Sequence, residues 1–144
     1  MKRFRFRLWR VLDVRKIRER VCEVEFARSK ARLADERRVE QQLESRFSGS
    51  AQDLAARLRD GFRPDEVLGH ESFLGKLKAD AQEQSGRVTE AAGQVEAHHE
   101  ELLSARQRRK ALERLRQRQY SGYLAGLLAE DQKSLDDSAK KRRR

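Results

Sequence analysis

The sequence predicts an all-α protein, a long antiparallel two-helix coiled coil folded as a helical hairpin about a central turn. Three observations carry this. First, 37% of the 144 residues are hydrophobic and 40% are charged, which is thin for a globular core but ample for a helical seam. The charged residues are mostly Arg and Glu, and with Leu, Ala and Gln they give a chain of good helix formers, the bias of a coiled coil. Second, the apolar residues recur at alternating spacings of four and three. Third, the single proline, Pro64, lies near the middle. High charge and few aromatics also mark disordered chains, and the periodicity weighs against that alternative.

The first helix is expected from about Phe4 to Asp60. Its heptad row reads Leu8, Leu12, Arg15, Glu19, Cys22, Phe26, Ser29, Leu33, Glu36, Glu40, Leu43, Phe47, Ser50 and Leu54. Eight of these fourteen are apolar, so the seam is real but interrupted. Period-two alternation is confined to Phe4–Leu8, which excludes a sustained strand. The break falls at Gly61-Phe62-Arg63-Pro64-Asp65, since proline in a helix interior costs about 3 kcal/mol. Residues 61–72 are assigned to the turn region, with Pro64, Asp65 and Glu66 suited to a first helical turn. The second helix is expected from about Phe73 to Asp137. Its row is Val88, Ala91, Val95, His98, Leu102, Ala105, Arg109, Leu112, Arg116, Gln119 and Tyr123. Residues 138–144 form a basic tail expected to fray. Two helices of similar length with a short link pair antiparallel, which sets Leu33 near Leu103 and Leu8 near Leu128. The polar seam residues Arg15, Glu19, Arg109 and Arg116 weaken packing and are available to fix the register.

The net charge of +10 is uneven. Residues 1–34 carry 12 basic and 4 acidic groups, residues 35–101 carry 9 and 15, and residues 102–144 carry 13 and 5. A chain folded back at its middle brings its two basic ends together, opposite an acidic turn. Lone Cys22 cannot make an internal disulfide and suits a reducing compartment. No apolar run reaches the ~20 residues of a transmembrane span, and the N-terminus has no signal-peptide core, so a cytoplasmic protein is expected.

Enzyme signatures are missing from the sequence: no phosphate loop, no nucleophile in a recognisable setting, no Cys-x-x-Cys. No catalytic residue, metal site or cofactor is expected. His98 and His99 point ~100° apart on a helix, so they do not chelate one ion readily. His98 is expected in the seam and His99 at its edge. The basic run Arg106 to Arg118 suggests a bZIP-like nucleic-acid contact, but no long zipper follows it, and Gly122 and Gly126 interrupt. A basic coiled coil that binds nucleic acid therefore stands only as an alternative to one that binds an acidic protein partner.

Near the chain ends the apolar surface is too wide for one seam. Val14, Ile17, Val21 and Val24 form a second stripe, and Tyr120, Leu124, Leu127 and Leu128 widen the other helix. Broad packing between splayed helix ends would account for this, and a docking surface for a partner is the sharper reading, since contiguous exposed apolar surface marks an interface. With the arginines nearby, the candidate docking residues are Arg7, Arg10, Val14, Arg15, Ile17, Arg18, Val21, Arg116 and Arg118. Just past the turn, Phe73, Leu74 and Leu77 form a second candidate, with little helix opposite to bury them. Local packing as a staple is the competing reading.

The opening FRFRLWRVLDVRKIRE resembles the start of the flagellar FliJ family through Phe6, Leu8, Val11, Leu12, Arg15 and Glu19. The closing EDQKSLDDSAKKR resembles that family's ending through Glu130, Lys133, Leu135, Asp136 and Asp137. Asp137 stands where the family more often has Glu. The resemblance implies a small, non-catalytic stalk protein of the bacterial type III export apparatus, similar in fold to the rotary ATPase gamma shaft. It implies insertion of the terminal end into the hexameric export ATPase, contact of the middle region with the membrane export gate, and handling of export chaperones. It also implies a place at the cytoplasmic face of the inner membrane. A related injectisome stalk family shares the architecture. On this reading Arg7 to Val21 with Arg116 and Arg118 meet the ATPase, and Phe73, Leu74 and Leu77 meet the gate.

Overall fold

In the computed structural model, which describes residues 3–61 and 63–142, the chain forms two α-helices, α1 (Trp9–Asp60) and α2 (Pro64–Arg142), paired as an antiparallel hairpin. The link is shorter than the sequence suggests. Gly61 adopts a left-handed backbone (φ 89°), the conformation that ends a helix at glycine, and Arg57 and Arg59 lie in the last turn of α1. The Arg63 carbonyl accepts from the amides of Glu66 (3.1 Å) and Val67 (3.3 Å), and Pro64 opens α2 with Asp65 and Glu66 in its first turn. Residues 64–72, assigned to the turn from sequence, are therefore helical. Proline stops a helix from running through it but starts one without cost. Helix α2 also runs unbroken through Gly122 and Gly126 and on to Arg142, so the described part of the expected tail is helical too. At the other end α1 begins at Trp9, five residues later than expected.

Contacts divide the chain into two compact units. One comprises residues 23–101. Within it Phe26 stacks on His99 (centroids 5.2 Å apart), the Arg32 guanidinium donates to the Gln94 side chain (3.2 Å), and the Gln84 amide donates to both the backbone carbonyl (2.9 Å) and the carboxylate (2.6 Å) of Glu36. The partners advance along α1 as they retreat along α2, which is antiparallel pairing. Leu33 thus lies beside the segment near Gln94, not Leu103. The predicted register was displaced because the predicted turn was too long.

The seam itself follows the heptad row. From Phe26 to Leu54 every row position of α1 is buried or half-buried, polar members Ser29, Glu36, Glu40 and Ser50 included. On α2 the row continues toward the turn beyond Val88, through Gln84, Ala81, Leu77, Leu74, His70 and Val67, all at least half-buried. These three heptads were missed because they begin inside the assigned turn.

The other unit comprises residues 1–22 and 102–144. Its core is Phe6, Leu12, Cys22, Leu102 and Ala105. Phe4 packs edge-on against Tyr120 (5.2 Å between centroids) and lies 5.7 Å from Tyr123. Leu8 therefore does not reach Leu128, which lies beyond the described start of the facing segment. Arg116 and Gln119, expected in the seam, are exposed because the segment opposite them precedes the first turn of α1.

Candidate functional site

In the terminal unit the seam of α1 passes through Leu12, Arg15, Glu19 and Cys22, all buried or half-buried. At ~100° per residue, Arg10, Val14, Ile17 and Val21 fall on roughly the opposite face. They are solvent-facing: Val14 and Ile17 are each 62% exposed and Val21 is 42% exposed. The predicted second stripe thus has no helix of this chain over it. Arg7 and Arg18 are exposed beside it, and the Arg10 guanidinium sits over the Trp9 ring, 5.3 Å from its centre. Arg15 is different. It is half-buried in the seam and does not share the outer face. Arg118 is exposed on α2, and Arg116 lines a groove of about 500 Å³ with Phe4, Glu113, Gln117 and Tyr120.

Beneath this surface lies a charged layer. Glu19, only 7% exposed, accepts from the Arg109 Nε and, at 3.4 Å, from Arg109 Nη2. Arg106 Nε lies 3.4 Å from the same carboxylate, and Arg109 Nη1 donates to Glu113 at 2.7 Å. The Arg109 hydrogen bond holds the Glu19 carboxyl below its ordinary range, against the opposing effect of desolvation, and the Arg109 and Arg106 charges add to the lowering. The same bonds to Glu19 and Glu113 push the Arg109 guanidinium up. The Glu113 and Arg106 side chains of this cluster are about two-fifths exposed, so its charges stay within reach of solvent.

At the turn the three candidate residues separate. Leu77 is 5% exposed and Leu74 half-buried, both in the seam, so the expectation that they lack a facing helix is corrected. Phe73 alone turns outward, 50% exposed, and borders a groove of about 370 Å³ with Arg57, Glu66, Gly69 and His70. Leu58 and Leu68, not singled out from sequence, are also exposed there. Their signal was their position outside the heptad row. Trp9, 53% exposed, was missed likewise. His98 lies in the seam as expected, its Nδ1 buried without a hydrogen bond, 3.8 Å from Glu101 and 4.0 Å from Glu25, while His99 is taken up by Phe26.

The model of the family described as "Flagellar FliJ protein" matches residues 4–144. The chain belongs to the FliJ family. As a FliJ-family protein it is a component of flagellar type III protein export. A solved structure of a protein described as a YscO homolog, from Chlamydia trachomatis, superposes with a TM-score of 0.67 at 18% identity, over 96% of this chain and 94% of that one. At that identity the likeness establishes the shared fold. Comparison with curated proteins gives no match. Among the described residues of this FliJ-family chain, no helix is long and apolar enough to cross a membrane.

Proposed function

We propose that the chain is a non-catalytic stalk of the flagellar export apparatus that docks on the hexameric export ATPase through the outer face of α1. The observation that carries this reading is the exposed row Val14, Ile17, Val21 bordered by Arg7, Arg10 and Arg18. Apolar side chains give such a surface affinity, and arginine forks give it geometry toward carboxylates. The membrane export gate and export chaperones are met by the middle region. There Phe73, with Leu58 and Leu68, offers apolar surface near the turn, and Leu74 and Leu77 support the turn from within. The family match favours the flagellar over the injectisome system. The test is binding of the purified chain to its cognate ATPase, with duplex DNA as the rival ligand. ATPase binding with raised hexamerisation or hydrolysis is expected. Specific DNA affinity that falls steeply with salt, with no ATPase binding, sinks the reading.

A further inference from the structure

Within the unit of residues 23–101, one cluster of metal-ligating side chains takes no part in either docking surface. His98, in the seam of α2, has its Nδ1 buried and without a hydrogen bond. Two carboxylates face that nitrogen. Glu101, on the same helix, lies 3.8 Å away, and Glu25, on α1, lies 4.0 Å away. Neither is close enough to share a hydrogen bond with it. The two carboxylates bring oxygens within 4.8 Å of each other. Three ligand atoms from two helices thus form a triangle around one point. His99 stands apart, stacked on Phe26.

A buried ring nitrogen without a partner costs free energy, and so do two facing carboxylates with no cation between them. Among the described residues, neither Glu25 nor Glu101 has a lysine or arginine against it, in a chain with 34 of them. Glu19, by contrast, takes both Arg106 and Arg109. A metal ion reaches all three atoms at once. Ligand atoms held ~2.0–2.1 Å from a tetrahedral ion lie about 3.3 Å apart, so closure moves each by roughly half an ångström. The glutamates are free to make that move, since their side chains are 40% and 53% exposed. Their exposed side also gives an ion its way in. Histidine and a carboxylate three residues apart on one helix, with a carboxylate from the facing helix, is a ligand pattern that holds divalent metals between helices.

We propose that His98, Glu101 and Glu25 bind one zinc ion, which ties α1 to α2 at this layer of the seam. With its proton on Nε2, the neutral imidazole offers the Nδ1 lone pair to the ion. The imidazole selects zinc over calcium and magnesium, which prefer oxygen alone. The two carboxylates balance the ion's charge, and a fourth position is left to water. The hairpin forms without the ion, which adds stability when it binds. The site does not depend on the ATPase reading.

Titration of the full chain with zinc, in competition with a chelating dye, is expected to show one site per chain. Saturating zinc is expected to raise the melting temperature, and excess magnesium to leave the site occupied. Glu25→Gln, Glu101→Gln and His98→Ala are each expected to weaken zinc binding by about tenfold or more, because even residues that only support a metal ligand are worth that much. The two glutamine variants alter exposed side chains and are expected to keep the helicity seen by circular dichroism. A chain that takes up no zinc overturns the inference, as does zinc binding unchanged in the glutamine variants. Binding lost in Cys22→Ala or His99→Ala but kept in His98→Ala assigns the ion elsewhere and overturns it too.

Discussion

At the scale of single residues, the layer around Glu19 decides how the terminal unit responds to acid. A folded-state carboxyl held below its ordinary value contributes stability above the unfolded value of about 4.5, and that contribution is lost as pH falls through the lowered folded value. Arg109, pushed upward, keeps its charge throughout this range. Glu19→Gln leaves Arg109 with Glu113 and an amide oxygen, but without the carboxylate charge that faces it. The melting temperature of the Glu19→Gln chain is therefore expected to lie below that of the wild type at pH 7, and the two are expected to converge as pH falls through the lowered folded value. Curves that stay parallel throughout the acid limb would show that the bond does not hold Glu19 ionised. The sequence placed Arg15, Glu19 and Arg109 in the seam correctly, because heptad position is a local property. It did not pair Glu19 with Arg109, because partnership across helices depends on register, and register depends on the turn.

At the scale of elements, the turn is where reading and structure part. Pro64 was legible as a break, and so were Asp65 and Glu66 as a first turn. Gly61, which ends α1 with a positive φ, was not weighed as the sole cap needed, so residues 64–72 were assigned to the turn. A link too long by nine residues moves every partner along the opposing helix, although the heptad rows remain right apart from Leu8, Arg116 and Gln119, which are exposed. Cysteines at Glu36 and Gln84, whose side chain and backbone touch, are accordingly expected to cross-link within one chain through a short bifunctional thiol reagent, whereas Leu33 and Leu103 are not. Efficient cross-linking of the second pair alone would restore the longer turn. The same shift reassigns the apolar cluster beside the turn. Leu77→Ala removes a buried side chain and is expected to cost about 2–3 kcal/mol, while Phe73→Ala, half exposed, is expected to cost well under 1 kcal/mol. Urea or thermal unfolding of the two variants measures the difference. Equal costs would put Phe73 back in the core.

At the scale of the whole molecule, the helical fold was legible because a charged, periodic, nearly proline-free sequence has few other ways to bury its apolar residues. The docking surfaces were legible only in part. The outer row of α1 was visible as a second periodicity, but which arginines border it was not, since Arg15 sits in the seam while Arg10 and Arg18 face water. The proposed division of partners between the two units rests on that sorting. Arg10→Glu with Arg18→Glu reverses charge on the outer face without touching the seam, so helicity and melting temperature should change little. Binding to the export ATPase should weaken on the order of tenfold or more, because charge reversal replaces attraction with repulsion at each site. Arg15→Glu should instead lower the melting temperature, since its side chain is half-buried between helices. Phe73→Ala with Leu68→Ala, at the far side of the chain's charge pattern, should leave ATPase affinity unchanged and reduce binding to the export gate, read out as lost motility. Titration of each variant against purified ATPase and against the cytoplasmic part of the gate separates these effects. If Arg10 and Arg18 reversal spares the ATPase, the outer face of α1 is not its docking surface; if Phe73 and Leu68 truncation weakens the ATPase instead of the gate, the two units do not serve different partners.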